Sequence, residues 1–99
     1  MVLWREVLGE QLRSARVAQK RTLRDVASSA NIALGYLSEL ERGRKEASSE
    51  LLGSICAALD VPVSTILSGA AQQAFETEFA ASVVRPLPVK PNKSDAVAA

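Results

Sequence analysis

Two short helical segments separated by only three residues are the feature that most constrains this chain. The first begins at Thr22, a good N-cap residue, and Asp25 three positions later completes an arrangement like a capping box. This segment continues to about residue 30, where Asn31 suits the left-handed conformation that stops a helix. The second segment covers about residues 34–41. The spacing therefore predicts two helices joined by a tight turn.

Apolar residues at helical spacing predict further helices on both sides of this pair. One stripe, over about residues 2–18, consists of Leu3, Val7, Leu8, Leu12 and Ala15. A fourth helix is expected after Ser48 as its N-cap, and a short fifth helix over residues 62–67. A break at Ser68-Gly69 is expected to separate that helix from a sixth over residues 70–85. The pattern predicts an all-α fold without strands.

The composition changes after residue 85. Three prolines fall between residues 86 and 91, and a polar run follows them, which is typical of a disordered tail. We therefore expect three parts: a five-helix domain over residues 1–69, a C-terminal helix over residues 70–85, and a disordered tail over residues 86–99.

Histidine is absent from the chain, and Cys56 is the only cysteine. The sequence thus lacks the commonest general base and metal ligand, and one cysteine cannot form an intrachain disulfide. We therefore expect no catalysis, no metal site and no cofactor. No apolar run reaches the 18 residues of a membrane span, and no signal-peptide pattern opens the chain. We expect no membrane partner and a location in the reducing cytoplasm.

Positive charge is concentrated in the middle of the chain. Residues 13–45 carry eight basic and three acidic side chains, whereas the rest of the chain carries four basic and eight acidic ones. Because neutralisation of phosphates dominates affinity for DNA, a helix pair in this basic segment favours a nucleic-acid-binding function. Any small helical bundle contains such pairs, so a plain structural role is the alternative.

The residues of this segment resemble the Cro/lambda-repressor-like helix-turn-helix family, also called XRE. The resemblance is carried by residues 22–27 (TLRDVA), residues 36–45 (YLSELERGRK), Ser48, and the apolar positions of residues 51–61. It covers roughly residues 6–67 and implies a lambda-repressor-like DNA-binding domain whose third helix enters the major groove of DNA.

A narrower resemblance lies within this family. Residues 35–46 (GYLSELERGRKE), residues 48–52 (SSELL) and the opening residues 4–9 (WREVLG) are similar to actinobacterial regulators of Clp protease genes. This resemblance implies a dimeric activator of proteolysis and stress-response genes that is itself removed by Clp proteolysis.

The resemblance implies that four residues of the third helix face the base edges of DNA. They are Leu34, Gly35, Ser38 and Glu39. Leu34 suits contact with a thymine methyl group, and Glu39 suits a hydrogen bond from a cytosine amino group. Other members often carry Gln or Arg at the first two positions, and many have a phosphate-binding Gln where this chain has Leu23. Specificity is therefore expected to rest partly on DNA shape.

Six residues are expected to contact the phosphates of the DNA backbone. They are Thr22, Arg24, Tyr36, Arg42, Arg44 and Lys45. The unpaired backbone amides in the first turn of the second helix add to this set. Arg13, Lys20 and Arg21 are candidate supports, for which solvated surface charge is the alternative. For Arg42 the alternative is a cap on the carbonyl groups at the helix end.

Three positions are expected to be structural. The resemblance implies an internal ion pair between Arg16 of the first helix and Glu41 at the end of the third. Cys56 lies among apolar helix positions, so core packing is expected rather than a redox role. Trp4 is expected to pack against the fold rather than stack on a base.

The C-terminal helix is the expected dimerisation element. Phe75, Phe79 and Val83 are spaced by four residues and share one side of the predicted helix. Two-fold dimers of helix-turn-helix proteins read two half-sites about 34 Å apart. Packing of this stripe back onto its own domain is the alternative.

The basic helix pair and the aromatic stripe predict a homodimeric protein that binds palindromic promoter DNA. The resemblance implies that it is a sequence-specific transcriptional regulator that activates Clp protease and stress-response genes. RNA polymerase is a candidate partner, and so is Clp protease, because Val97-Ala98-Ala99 resembles the small apolar C-termini recognised by Clp unfoldases. The alternative for these three residues is a tail that simply ends in small side chains. Two other functions stay open: an XRE-type antitoxin or autorepressor with a co-encoded toxin, and a protein–protein adaptor that does not bind DNA.

Overall fold

Five α-helices and no strand make up residues 1–82, the part of the chain that the computed structural model describes. In chain order the helices are α1 (Trp4–Ala18), α2 (Leu23–Ala30), α3 (Leu34–Glu41), α4 (Ser49–Leu59) and α5 (Val63–Ser82). The all-α class predicted from the sequence is confirmed. The predictions for Val83, for the tail over residues 86–99 and for Val97-Ala98-Ala99 lie outside the described residues.

Side-chain caps and left-handed residues set the ends of the central helices. The Thr22 hydroxyl oxygen accepts a hydrogen bond from the Asp25 amide at 3.0 Å, and the Ser48 hydroxyl accepts from the Leu51 amide at 3.2 Å. Asn31, with a φ of 59°, ends α2 in the left-handed region. These caps limit α2 to eight residues and leave three for the turn before α3.

The predicted break at Ser68-Gly69 is wrong, because α5 runs through it without interruption. A Cβ atom at Gly69 would collide with the Gln11 side chain, so this glycine lets α5 approach α1 closely. The next turns bury Ala70 and Ala74 against α1. This packing offsets the roughly 1 kcal/mol by which glycine disfavours a helix interior. The predicted domain boundary at residue 69 stays a prediction.

The main core lies between α2, α3 and α4, with α1 across one side. Its most deeply buried side chains are Val26, Leu37, Ile55, Cys56 and Leu59. Burial raises the pKa of the Cys56 thiol above its usual value, since a thiolate is poorly solvated there. The predicted core position of this cysteine is confirmed.

Trp4 departs from its predicted packing role, because 61% of the residue is exposed. Trp4 is the first residue of α1, where few neighbouring residues cover the indole ring.

No single helix within residues 1–82 has the length and apolarity to cross a membrane. By length and composition alone, α4 and α5 as far as Ala80 meet that criterion together, as a pair of helices bent by 106°.

Candidate nucleic-acid interface

The third helix presents one face to solvent while its other face anchors it in the core. Leu37 and Leu40 are buried and hold α3 against the core. Leu34 and Ser38 are four residues apart, as are Gly35 and Glu39, so each pair is adjacent on the helix surface away from Leu40. Of these four predicted base-facing residues, Gly35 is exposed, Ser38 and Glu39 are half-buried, and Leu34 lies at the edge of the core.

The N-terminal end of this face is open. Gly35 is exposed, and a Cβ atom built there would meet no other atom within 4 Å. The α3 N-cap is Ala33, whose side chain makes no capping hydrogen bond, so the first backbone amides of the helix keep no side-chain partner. Leu34 is half-buried and packs partly against the core. This end of α3 thus offers backbone donors and an uncovered surface to a ligand.

Glu39 lies beside Arg44, one of the predicted phosphate contacts. Arg44 Nη1 and Glu39 Oε2 are 3.9 Å apart, and the Arg44 amide donates to the Glu39 carbonyl at 2.9 Å. The carboxylate is about one-third exposed and the arginine about two-thirds exposed. The structure therefore couples a predicted base-facing residue to a predicted phosphate-contacting one.

The segment after α3 is fastened at two points. The Tyr36 hydroxyl donates to the Glu46 carbonyl at 3.1 Å, and Arg5 Nε donates to the Gly43 carbonyl at 3.0 Å. Gly43 has a φ of 73°, and a side chain there would also collide with Glu6 of α1. Sequence reasoning did not identify Arg5, because the bond joins residues 38 positions apart and no local pattern indicates it.

Several cations around this face have no partner within residues 1–82. Arg24, at the start of α2, and Arg42 and Lys45, after α3, are exposed and make no hydrogen bond or ion pair with the described side chains. Arg13 and Lys20 are exposed in the same way. Exposed cations without partners create a positive potential suited to a polyanion. Arg13 and Arg42, however, share a pocket with the carboxylates of Glu6, Glu10 and Glu41, so Arg24 and Lys45 carry this argument.

Arg21 differs from these residues, although the sequence suggested it as a phosphate support. Its Nε donates to Asp25 at 2.7 Å, and its two terminal nitrogens donate to the Ala58 carbonyl at 2.5 Å and to the Ser29 hydroxyl at 3.2 Å. The guanidinium therefore connects α2 to the end of α4 and is used within the fold.

Arg16 and Glu41 form a two-pronged ion pair between α1 and the end of α3. Arg16 Nε and Nη2 donate to the two Glu41 carboxylate oxygens at 2.8 and 3.0 Å, and Arg16 Nη1 donates to the Arg21 carbonyl at 2.9 Å. Only 15% of the arginine side chain and 6% of the glutamate side chain are exposed. The hydrogen bonds to Glu41 raise the pKa of Arg16, against the opposing effect of burial. The pair fixes the end of α3 relative to α1.

An aromatic pair of one exposed and one half-buried ring lies on α5. The rings of Phe75 and Phe79 stack with centroids 6.0 Å apart, and 61% of Phe75 is exposed. Leu67, on the same helix, is 45% exposed. Phe75 and Phe79 therefore share a side of the helix as predicted, and Phe75 does not pack into its own core.

No group of three or more Cys, Asp or Glu residues within the described range is arranged to hold a metal ion.

Comparison with known proteins places these features in context. Residues 12–66 match the family model HTH_3, described as helix-turn-helix. Over 76 residues the chain is 57% identical to the transcriptional regulator ClgR of Mycobacterium tuberculosis, covering 77% of this chain and 68% of that protein. The crystal structure of the clp gene regulator ClgR from C. glutamicum matches at 52% identity and a TM-score of 0.72, covering 74% of this chain and 95% of that one.

A more distant similarity concerns the fold alone. The restriction-modification controller protein C.AhdI from Aeromonas hydrophila matches with a TM-score of 0.61 at 22% identity, covering 63% of this chain and 94% of that one.

Proposed function

Because the chain belongs to the helix-turn-helix family HTH_3, we propose that it is a DNA-binding transcriptional regulator that binds palindromic promoter sites as a homodimer. We further propose that it works in the cytoplasm and activates Clp protease and stress-response genes. The similarity to proteins named as clp gene regulators supports these targets.

One observation carries the DNA-binding proposal. The outer face of α3 is uncovered at Gly35, and Arg24, Arg42 and Lys45 are exposed without a side-chain partner among the described residues. In helix-turn-helix proteins the second helix of the pair lies in the major groove while flanking residues contact phosphates. An open face on α3 and exposed cations in the same basic segment support these proposed roles.

The base-facing residues favour a particular kind of readout. Glu39 accepts hydrogen bonds and suits the amino group of cytosine, and the exposed Gly35 lets a base edge approach the helix backbone. None of the four predicted base-facing residues offers the bidentate donors of arginine. We propose that DNA shape supplies the remaining specificity, while Thr22, Arg24, Arg42, Arg44 and Lys45 position the backbone. Tyr36 joins this set only if its hydroxyl hydrogen turns from the Glu46 carbonyl to a phosphate.

Dimerisation is proposed to occur through α5. Phe75 is 61% exposed and stacks on Phe79, and Leu67 on the same helix is 45% exposed, so two-fold pairing along α5 would remove this apolar surface from water. Val83, four residues after Phe79, is proposed to extend this surface. Dimerisation also doubles the number of DNA contacts, which one small domain needs for tight binding.

Binding-site selection from random duplex DNA tests the proposal. The full chain should enrich a palindromic sequence, and the Glu39→Gln variant should change the preferred base at one position of each half-site. An activator would also raise transcription from a clp promoter carrying that sequence in a reporter assay with RNA polymerase. Failure to enrich any duplex at low salt would favour the protein–protein adaptor instead.

Turnover by Clp protease is a separate proposal about the chain end. Val97-Ala98-Ala99 is proposed to be the recognised element, on its similarity to small apolar Clp signals. Adding two aspartates after Ala99 should lengthen the half-life of the protein in cells. An unchanged decay rate would reject the proposal without affecting DNA binding.

A further inference from the structure

A cavity of about 170 Å³ opens between α1, the end of α3 and the segment before α4. Leucine is the commonest residue in its wall, and three of the leucines, Leu12, Leu40 and Leu52, are buried. Leu8 and the exposed ring of Trp4 complete the apolar lining on the α1 side. An engineered leucine-lined cavity of similar size, about 150 Å³, binds benzene. The space therefore suits one aromatic ring.

The rim of the cavity carries one cation that the protein does not neutralise. Arg5, Lys45 and Glu46 all line it. Arg5 lies 3.6 Å from the Glu46 carboxylate and also donates to the Gly43 carbonyl, so these two charges are matched within the protein. Lys45 is exposed and makes no ion pair within residues 1–82. A ligand with an apolar ring and one negative charge complements this arrangement.

We propose that the cavity binds a small aromatic carboxylate, with its ring against the leucines and its carboxylate paired with Lys45. The site is distinct from the proposed dimer surface. On α1, Val7 and Gln11 face α5 and Trp4 lines the cavity, while Leu8 packs between the two. It is also distinct from the base-facing surface, since the buried Leu40 that lines it lies on the inner side of α3.

The site is connected to DNA binding through Lys45. This part of the inference rests on the proposed function, in which Lys45 contacts phosphate. A bound carboxylate neutralises that lysine, so ligand binding weakens DNA binding. By linkage, DNA weakens ligand binding by the same factor.

The first experiment needs no DNA, because Trp4 is the only tryptophan of the chain and lines the cavity. Titration with 3-phenylpropionate, followed by tryptophan fluorescence, is expected to show a saturable change. The matched neutral compound, 3-phenylpropionamide, should bind more weakly. Lys45→Gln should weaken binding of the carboxylate about two- to fivefold, the range of an exposed ion pair, and leave the amide unchanged.

Two filling variants test the location. Ala47→Phe and Leu8→Phe each place a ring in the cavity and should abolish the fluorescence change, while circular dichroism checks that both variants are folded. Lys45→Gln, at an exposed position, keeps the test valid if either filling variant unfolds.

Three results would overturn the inference. The first is no saturable response to 3-phenylpropionate. The second is equal affinity for acid and amide in the parent chain. The third is Trp4 emission that changes with protein concentration alone, which would assign the cavity to a second copy of the chain. None of these depends on DNA, so this inference and the proposed function can fail separately.

Discussion

The inner and outer sides of the α2–α3 pair use the same residue type in opposite ways. On the inner side, the guanidinium groups of Arg16 and Arg21 donate hydrogen bonds to carboxylates and backbone carbonyls of the fold. Arg24, by contrast, is exposed at the start of α2 and has no side-chain partner among the described residues. The basic segment therefore does not form one surface. The role of each arginine depends on whether its guanidinium group has hydrogen-bond partners within the fold.

The largest expected effect comes from breaking the inner side at Glu41. Replacing Glu41 with Gln leaves the mostly buried Arg16 guanidinium without its counter-charge, which costs about 3–5 kcal/mol of unfolding free energy. Denaturant unfolding measures it. The control is Glu39→Gln, whose pair with Arg44 is more exposed and contributes less than about 1 kcal/mol. Equal losses from the two variants would contradict the distinction between the sides.

Two glycines give a second test of the same contrast. A Cβ atom at Gly9 of α1 would collide with the backbone carbonyl groups of Leu40 and Glu41, so Gly9→Ala should destabilise the fold by about 1–3 kcal/mol. At Gly35 on the outer side nothing lies within 4 Å, so Gly35→Ala should stabilise the helix by about 0.5–1 kcal/mol. Thermal unfolding of the two variants measures both stability changes. A loss of stability in Gly35→Ala would show that the outer face is not open.

A pair of arginine variants separates stability from DNA affinity. Arg21→Gln should lower unfolding free energy by about 1–3 kcal/mol, since the bonds between α2 and α4 are lost. Arg24→Gln should leave stability within about 0.5 kcal/mol, as expected for a surface site, and weaken DNA binding. Unfolding curves and fluorescence anisotropy with duplex DNA measure the two properties.

The control for Arg24→Gln keeps the net charge constant. Adding Glu76→Gln on α5 restores the charge of the chain far from the α2–α3 pair. If affinity also returned, binding would depend on net charge alone, and the outer face would have no special part in it.

The smallest expected effect concerns Cys56. Because burial raises the pKa of its thiol, the folded protein holds the thiol proton more tightly than the unfolded chain does. This contribution to the free energy of unfolding is complete below the pKa that the thiol has in the unfolded chain. It is lost as the pH rises through the higher pKa of the thiol in the folded protein. Alkylation by iodoacetamide should accordingly be slow in the folded protein and fast in denaturant. Equal rates in both states would show that Cys56 is not protected.

The features predicted from sequence are those that local chemistry controls. Thr22 and Asn31 set the ends of α2 through contacts within a few residues, and both predictions hold in the structure. The all-α class, predicted from apolar spacing along the chain, is confirmed as well, and so is the family, predicted from the resemblance carried by residues 22–61. Whether the predicted residues contact DNA stays a prediction.

The features that sequence reasoning missed depend on distant residues. Gly69 has the local character of a helix stop, yet contact with Gln11, 58 positions earlier, makes it a packing site. Two hydrogen bonds are also remote in sequence: Arg5 and Gly43 are 38 positions apart, and Arg21 and Ala58 of α4 are 37 positions apart. Local propensity does not contain this information, because the tertiary approach of helices determines it.

The salt dependence of DNA affinity tests the central claim most directly. For the parent chain, the logarithm of the association constant should fall linearly with the logarithm of salt concentration. The double variant Arg24→Gln/Lys45→Gln removes two proposed phosphate contacts from each protomer, four per dimer, and should reduce the steepness of that slope by about 3.6, since each contact contributes about 0.9. The Arg21→Gln variant, folded under the same conditions, should keep the parent slope. A double variant with the parent slope, or a parent chain that binds no duplex at low salt, would contradict the account.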